Sequence, residues 1–460
     1  MATWSMITAL DLGRTRSDNA RPTLPGLRVV DFLRLAIALL VVANLGRIPV
    51  LSSGAKEAPI LVNDLAAAVA ILAAAVVALQ RRSLRLDAPA LLALAFAAIG
   101  ALSAMISIPR FGLTLFEFFF SIAYLVRWLF YFGIYLVVIN FVRRTDVETV
   151  WRSLEWAVLV FAMFGIVQSI FLPNFAQIVY PESEAYLDWD VQGHRLVSTI
   201  LDPNLAGGLI VIPLMILLAR RAYGAPASTW KLIVFAAALL MTVSRSSFLA
   251  AVVGLITILC VTGISRRLLR TGAFLLLLLI PALPLLLQFA AGFNKFSFDG
   301  SALARVVSWA RAFEILKDSP ILGVGFNTYG FVQESYGYEA TGSGSFSLDG
   351  GLIFIVVMTG AVGLILYVSL LTVIIRRCRR VWRAVELSPE DRSFALGTAA
   401  STIALVVHSI FLNSLLLPFI MEPLWIIWGI SYVIDGKLQE TGRTLPNVGT
   451  AWDSRRLQAV

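Results

Sequence analysis

Four stretches of the chain carry side chains whose types and spacing suit the handling of a phosphorylated, anionic substrate. The first is GHRLVSTILDPN, residues 193–204, where Arg195 precedes Asp202, Pro203 and Asn204, a trio suited to a helix start. A guanidinium beside a helix N-terminus joins a fixed cationic fork to free backbone N–H groups, the donors that a phosphate or diphosphate needs. The plainer reading has Arg195 snorkelling to a membrane interface or pairing with the acidic residues before it, Glu182, Glu184, Asp188 and Asp190. The second stretch is TVSRSSFLA, residues 242–250, which interrupts an apolar run and puts Arg245 in a very short turn. There it serves either a structural salt bridge or the wall of a charged cavity.

The third stretch is ARVVSWARAFEILKDSPILGVGFNTYG, residues 304–330. Arg305, Trp309 and Glu314 fall on neighbouring turns of an amphipathic helix that Asp318, Ser319 and Pro320 end before Gly323 and Gly325. A helix lying on a membrane surface would use Trp309 and Phe313 in the same way, but would leave Arg305 without a particular role. The fourth is SGSFSLDGGLIFIVVMTGAVG, residues 343–363, with Asp349 at the mouth of an apolar span. Asp349 suits a helix cap; it also suits a general base, a carboxylate at the water boundary that takes the proton of an attacking hydroxyl. His194 adjoins Arg195 as an acid, a base or a polar loop residue, and His408 lies in a later span, either packed between helices or in a polar lining with Asn413 and Glu422.

These stretches have to be positioned by a membrane domain. At 59% hydrophobic and 14% charged residues, with mean hydropathy +0.84, the 460-residue chain has too little polar surface for a soluble globule. Long unbroken apolar runs also exclude a disordered chain and an outer-membrane barrel. Such runs begin near residues 29, 58, 87, 113, 149, 204, 229, 247, 271, 350, 393 and 414, which predicts an all-α, polytopic protein of about twelve spans. The net charge of +9 reports basic loops on the cytoplasmic side rather than nucleic acid: Arg81, Arg82 and Arg85, Arg143 and Arg144, Arg220, Arg221 and Lys231, Arg266, Arg267 and Arg270, and the run from Arg376 to Arg392 all fall inside once the N-terminus is cytoplasmic.

The expected organisation is a cytoplasmic tail over 1–28, one membrane domain over 29–435 with long outer loops at 173–203 and 291–348, and a cytoplasmic tail over 436–460. Neither Cys260 nor Cys378 has a partner spacing for a disulfide or metal, and no P-loop, dinucleotide fingerprint or serine-hydrolase elbow is present. No metal and no cofactor is expected. Arg34, Arg127 and Glu117 are charges within spans, and Arg127 is expected to pair with Glu117 or Glu155, or to line a cavity from below.

Over roughly residues 190–375 the chain resembles the superfamily of O-antigen ligases and of O-antigen, exopolysaccharide and capsule polymerases, bacterial inner-membrane glycosyltransferases with a GT-C-like architecture. The resemblance rests on Arg195 with Pro203 and Asn204, on Ser244 and Arg245, on Arg305 and Trp309, and on the D-S-P-x-x-G-x-G stretch with Gly323 and Gly325, in that order. It implies that Arg195 and Arg305 bind the diphosphate of an undecaprenyl-diphosphate-linked glycan donor, with Arg245 shaping the cavity; Arg245, His194, Trp309 and His408 are the candidate substrate-binding residues. The ligases carry a histidine near the end of the large loop, where this chain has Asp349, and this difference favours a polymerase that joins repeat units on the periplasmic face of the inner membrane. A ligase that transfers glycan to lipid A core is the alternative, and a lipid-linked oligosaccharide flippase is the rival of another class. The expected partners are the lipid-linked donor and acceptor, membrane lipid, a chain-length regulator and a flippase.

Overall fold

The computed structural model describes residues 28–46, 48–53, 56–180, 194–264, 266, 270–272, 298–338 and 348–444. They form α1 (Val29–Leu39), a hairpin of β1 (Ile48–Ser53) and β2 (Lys56–Ile60), α2 (Val62–Arg81), α3 (Ala88–Phe111), α4 (Leu115–Phe141), α5 (Val147–Phe171), the short α6 (Phe175–Val179) and α7 (Pro203–Tyr223). There follow α8 (Thr229–Met241), α9 (Arg245–Thr262), α10 (Phe298–Leu316), α11 (Tyr329–Ser335), α12 (Gly351–Arg383), α13 (Pro389–His408) and α14 (Pro418–Thr444).

All but one of the expected span starts lie within four residues of a helix start; the run near residue 271 falls largely outside the described residues. Among the described residues, eight helices are long and apolar enough to cross a membrane: α2, α3, α4, α5 in continuity with its preceding turn, α7, α9, α12 and the Pro418–Gly436 part of α14. This is a multi-pass, all-α membrane protein. Among the described residues α1 and α8 are too short to count as spans, and α13, rich in Ser, Thr, Gly and Ala and opening with Glu390, Asp391 and Arg392, is too polar; the expected run near residue 271 lies largely outside the described residues. The antiparallel β1–β2 hairpin is the small departure from the all-α expectation.

The core is layered around α7 and α13. Most of α7 is buried, and α13 is packed between α7, α9 and α12. Gly397 of α13 lies so near Ile216 of α7 that a β-carbon would meet its Cα at 2.5 Å, and small residues in general let membrane helices approach this closely. Trp425 and Trp428 of α14 join Trp128, Phe132 and Tyr135 of α4 in an edge-to-face aromatic cluster.

Several charges within the bundle are paired. Arg127 bonds Asp64 at 2.8 Å, neither Glu117 nor Glu155. Asp64 stands in the first turn of α2 against α4, whereas Glu117 is held by the N-terminal cap of its own helix at Thr114, and Glu155 bonds Lys231 at 2.9 Å. Arg34 donates to Ser153 Oγ. Arg377 of α12 bonds Asp87, the N-cap of α3, at 2.6 Å, and Tyr135 at 3.0 Å, which fixes α3 and α12 antiparallel. Removing one member of such a buried pair is costly, about 3–5 kcal/mol, because the other charge is left desolvated.

α12 is interrupted at Gly360, whose φ of 63° and ψ of −167° no helix contains. Its broken hydrogen bonds are remade by residues 320–325. Val357 O accepts from Val324 N–H at 2.8 Å and Met358 O from Gly325 N–H at 3.0 Å, while Ala361 N–H donates to Pro320 O and Val362 N–H to Ile321 O. Two donors and two acceptors at the break are satisfied in this way, and such pairing is what irregular backbone inside a membrane domain requires. The D-S-P-x-x-G-x-G stretch is thus a structural insert. At Gly323, with φ of 75°, a β-carbon would lie 2.5 Å from the backbone of Val357, Met358 and Thr359.

Candidate active site

Four chain segments meet beside the start of α12. The first is the approach to α7. Asp202 caps that helix by accepting from Asn204 N–H at 2.7 Å and Leu205 N–H at 3.1 Å, with Pro203 at the first helical position where its missing N–H costs nothing. The preceding residues are held by Gln168 of α5, whose side-chain oxygen accepts from Val197 and Ser198 N–H, and by Leu196 N–H donating to Met241 O. Ser169 Oγ grips the carbonyl of His194, leaving the His194 side chain exposed. Arg195, half-buried, donates through Nε to Thr242 O at 2.9 Å and reaches Asn204 Oδ1 and Val243 O at 3.5 Å. Its guanidinium is therefore aimed across the helix start by fixed partners.

The second segment is the α8–α9 turn. Val243 has φ of 49°, and Ser244 caps α9, its Oγ accepting from Ser247 N–H and donating to Asn204 Oδ1 at 2.8 Å. Arg245 follows at the first position of α9, exposed. The third is α10, in which Arg305 and Trp309 lie one turn apart. Arg305 Nε meets Asp349 Oδ2 at 3.3 Å, and the Trp309 indole N–H donates to the Asp349 carbonyl at 2.8 Å. The fourth is the α12 approach itself, tied to the loop after α13 by Asn413 Nδ2 donating to Leu348 O at 2.9 Å and by Gly351 N–H donating to Leu412 O. Gly350, with φ of 102°, packs under Ile410 O and the Trp309 ring.

Asp349 does not cap α12, as one reading of the sequence had it; Gly350 holds the cap position and the carboxylate turns to Arg305. Burial raises the pKa of Asp349 above that of an ordinary aspartate, with Arg305 opposing, although 51% of the side-chain surface stays exposed. At Asp202 burial also raises the pKa; the Leu205 and Asn204 N–H groups and Arg195 draw it down, and the charge of Asp349 pushes it up. Asp349 and Arg195 are thus both near enough to Asp202 to be felt there. The candidate residues Arg195, Arg305 and Asp349 belong to one electrostatic neighbourhood, although 154 positions separate the first from the last.

His408 sits apart from water, with none of its surface exposed. One ring nitrogen bonds Ser247 Oγ at 3.1 Å and the other Ser414 Oγ; Ser247 Oγ donates to Asn204 O and Ser244 Oγ. His408 therefore stands behind Arg195 in a hydrogen-bonded chain that runs through Ser247, Ser244 and Asn204. It forms no lining with Glu422, which is buried against Asn63, or with Asn413, which holds Leu348. Gln168, Ser247 and Ser414 also take part without having been singled out in the sequence; a lone glutamine within an apolar span was the one available signal, since buried polar side chains at that depth are costly unless bonded. The acidic residues 182–190 and Glu339 lie outside the described residues. Among the described residues no three His, Cys, Asp or Glu side chains gather as metal ligands would.

Residues 231–368 match the family model Wzy_C, described as O-antigen ligase. The match covers under a third of the chain but takes in α8, α9, α10, α11 and the Asp349 end of α12, and it supports the O-antigen ligase and polymerase superfamily. Members of that family are glycosyltransferase-like enzymes of surface polysaccharide synthesis. No match was found among curated proteins.

Proposed function

We propose that the chain polymerises oligosaccharide repeat units carried on undecaprenyl diphosphate, by metal-independent glycosyl transfer on the periplasmic side of the inner membrane, with both termini in the cytoplasm. The observation that carries this reading is the Arg305–Asp349 contact within electrostatic reach of the Arg195 segment. A hydroxyl of the acceptor repeat unit attacks the anomeric carbon of the donor sugar. The bond from that carbon to the diphosphate oxygen breaks, the diphosphate leaves with the bonding electrons, and the hydroxyl proton passes to the Asp349 carboxylate.

A guanidinium has five N–H donors; Arg305 uses Nε for Asp349, and among the described residues no partner holds its terminal nitrogens, which can meet a diphosphate oxygen. One side chain then joins base to leaving group. Arg195 faces the same charge from the helix start of α7, and two fixed cations there favour the transition state because the leaving diphosphate gains negative charge. Burial raises the pKa of Asp349, which makes its carboxylate a stronger proton acceptor than a free aspartate.

The family name supports a second reading, transfer of a finished glycan to lipid A core as in O-antigen ligases. Purified protein in proteoliposomes, given lipid-linked repeat units alone, separates the two: a ladder of polymer lengths supports polymerisation, and product formed only when a core acceptor is added overturns it for ligation.

A further inference from the structure

The end of α12 farthest from Asp349 carries IIRRCRRVWR, residues 374–383. Arg377 turns inward to Asp87 and Tyr135, whereas Arg376, Arg379, Arg380 and Arg383 are exposed and line one open cleft of about 370 Å³ with Ala384. Their spacing, i, i+3, i+4 and i+7, puts all four on one helix face. Like charges at these spacings repel one another. Of these four, Arg380 is answered by Asp435, at 2.8 Å, which also lies 3.9 Å from the inward-turned Arg377; among the described residues no carboxylate pairs with Arg376, Arg379 or Arg383, and the nearby exposed Glu386 pairs with none of them.

The same face continues up the helix as an aliphatic stripe. Ala361, Ile365, Val368 and Thr372 precede Arg376 at helical spacing, with Ile365 64% and Val368 46% exposed. At 1.5 Å per residue the arginines lie roughly 40–50 Å from the start of α12, close to the thickness of a bilayer with its headgroups. An apolar stripe at hydrocarbon depth thus runs into a four-arginine cleft at the far headgroup layer. Scattered basic residues would satisfy the charge bias of membrane topology; these are gathered on one open face, where a bound anion would relieve their mutual repulsion.

We propose that this face of α12 binds one anionic phospholipid, its phosphate held by Arg376, Arg379, Arg380 and Arg383 and an acyl chain laid along Val368 and Ile365. Guanidiniums suit a phosphodiester because they present paired donors to two oxygens at once. The choice of a lipid over free phosphate follows from the stripe, which a free phosphate would not use. The proposal is independent of the reaction assigned above.

The test uses the full chain, purified in detergent, delipidated, and measured by native mass spectrometry with added phosphatidylglycerol or phosphatidylcholine. The expected result is retention of phosphatidylglycerol at least fivefold above phosphatidylcholine, lost in R376Q/R379Q/R383Q and kept in R376K/R379K/R383K, with Arg380 left intact for Asp435. The lysine variant guards against misfolding, since it carries the same number of substitutions. Equal retention of the two lipids, unchanged retention in the glutamine variant, or loss of lipid from the wild type on adding millimolar inorganic phosphate would each overturn the proposal, the last by showing a site for the phosphoryl group alone.

Discussion

Asp349→Asn isolates the proton-accepting step. Asparagine keeps the shape and the backbone carbonyl that holds Trp309 Nε1, but it cannot take a proton and cannot pair with Arg305. The structural cost is small, because the ion pair is open to solvent at 27% and 51% side-chain exposure, and pairs of that kind contribute about 0–1 kcal/mol. The sign of the linkage agrees. A carboxyl whose pKa is raised on folding contributes stability that is present at acid pH and lost as pH rises through the folded value, so a neutral side chain at pH 7 loses no such contribution. The melting temperature should stay within about 2 °C of wild type, given that 1 kcal/mol shifts a large domain by a few degrees. Turnover should fall roughly a hundredfold or more, the usual contribution of a positioned base. In the wild type, turnover should fall as pH is lowered through the raised Asp349 pKa, and this limb should vanish in the variant. The assay is initial-rate polymer formation from lipid-linked repeat units beside a thermal melt of the same sample. Turnover within a few-fold of wild type, or a loss of rate matched by a loss of melting temperature, refutes the base assignment.

Arg195→Ala and Arg305→Ala should each reduce polymer formation by roughly a hundredfold to a thousandfold, about 2–4 kcal/mol of transition-state stabilisation, with lysine restoring part; near-normal polymer on a gel from either alanine variant counts against diphosphate binding. Turnover in proteoliposomes should survive EDTA, and loss on chelation that magnesium or manganese restores would assign the diphosphate to a metal. Gly323→Ala should destabilise by at least about 1–3 kcal/mol, the cost of a disallowed backbone conformation, because φ is 75° and the β-carbon meets the α12 backbone at 2.5 Å. Its melting temperature should fall even where Asp349→Asn leaves it unchanged.

The membrane class, the helix starts and the Asp202–Pro203–Asn204 cap were legible because they depend on composition and on contacts within one turn. The helical character of residues 304–316, with Arg305 and Trp309 on one face, was legible for the same reason. The sequence shows residues 242–250 only as a polar turn; in the structure Ser244 caps α9, its oxygen accepting from the amide three residues on.

Only the tertiary structure decided which of these faces meet. Helices apolar on nearly every side give no periodic signal for the direction a neighbour comes from, so the sequence could not choose Asp64 over Glu117 or Glu155 for Arg127. Arg305 and Asp349 are 44 residues apart, and their contact depends on Trp309 docking on the same backbone that Asn413 ties down from the other side. The break at Gly360 reads in sequence as an ordinary small residue in a span; it becomes a break because residues 320–325 supply its missing hydrogen bonds, and hydrogen-bond partners so distant along the chain are chosen by the energy of the whole packed bundle rather than by any local preference.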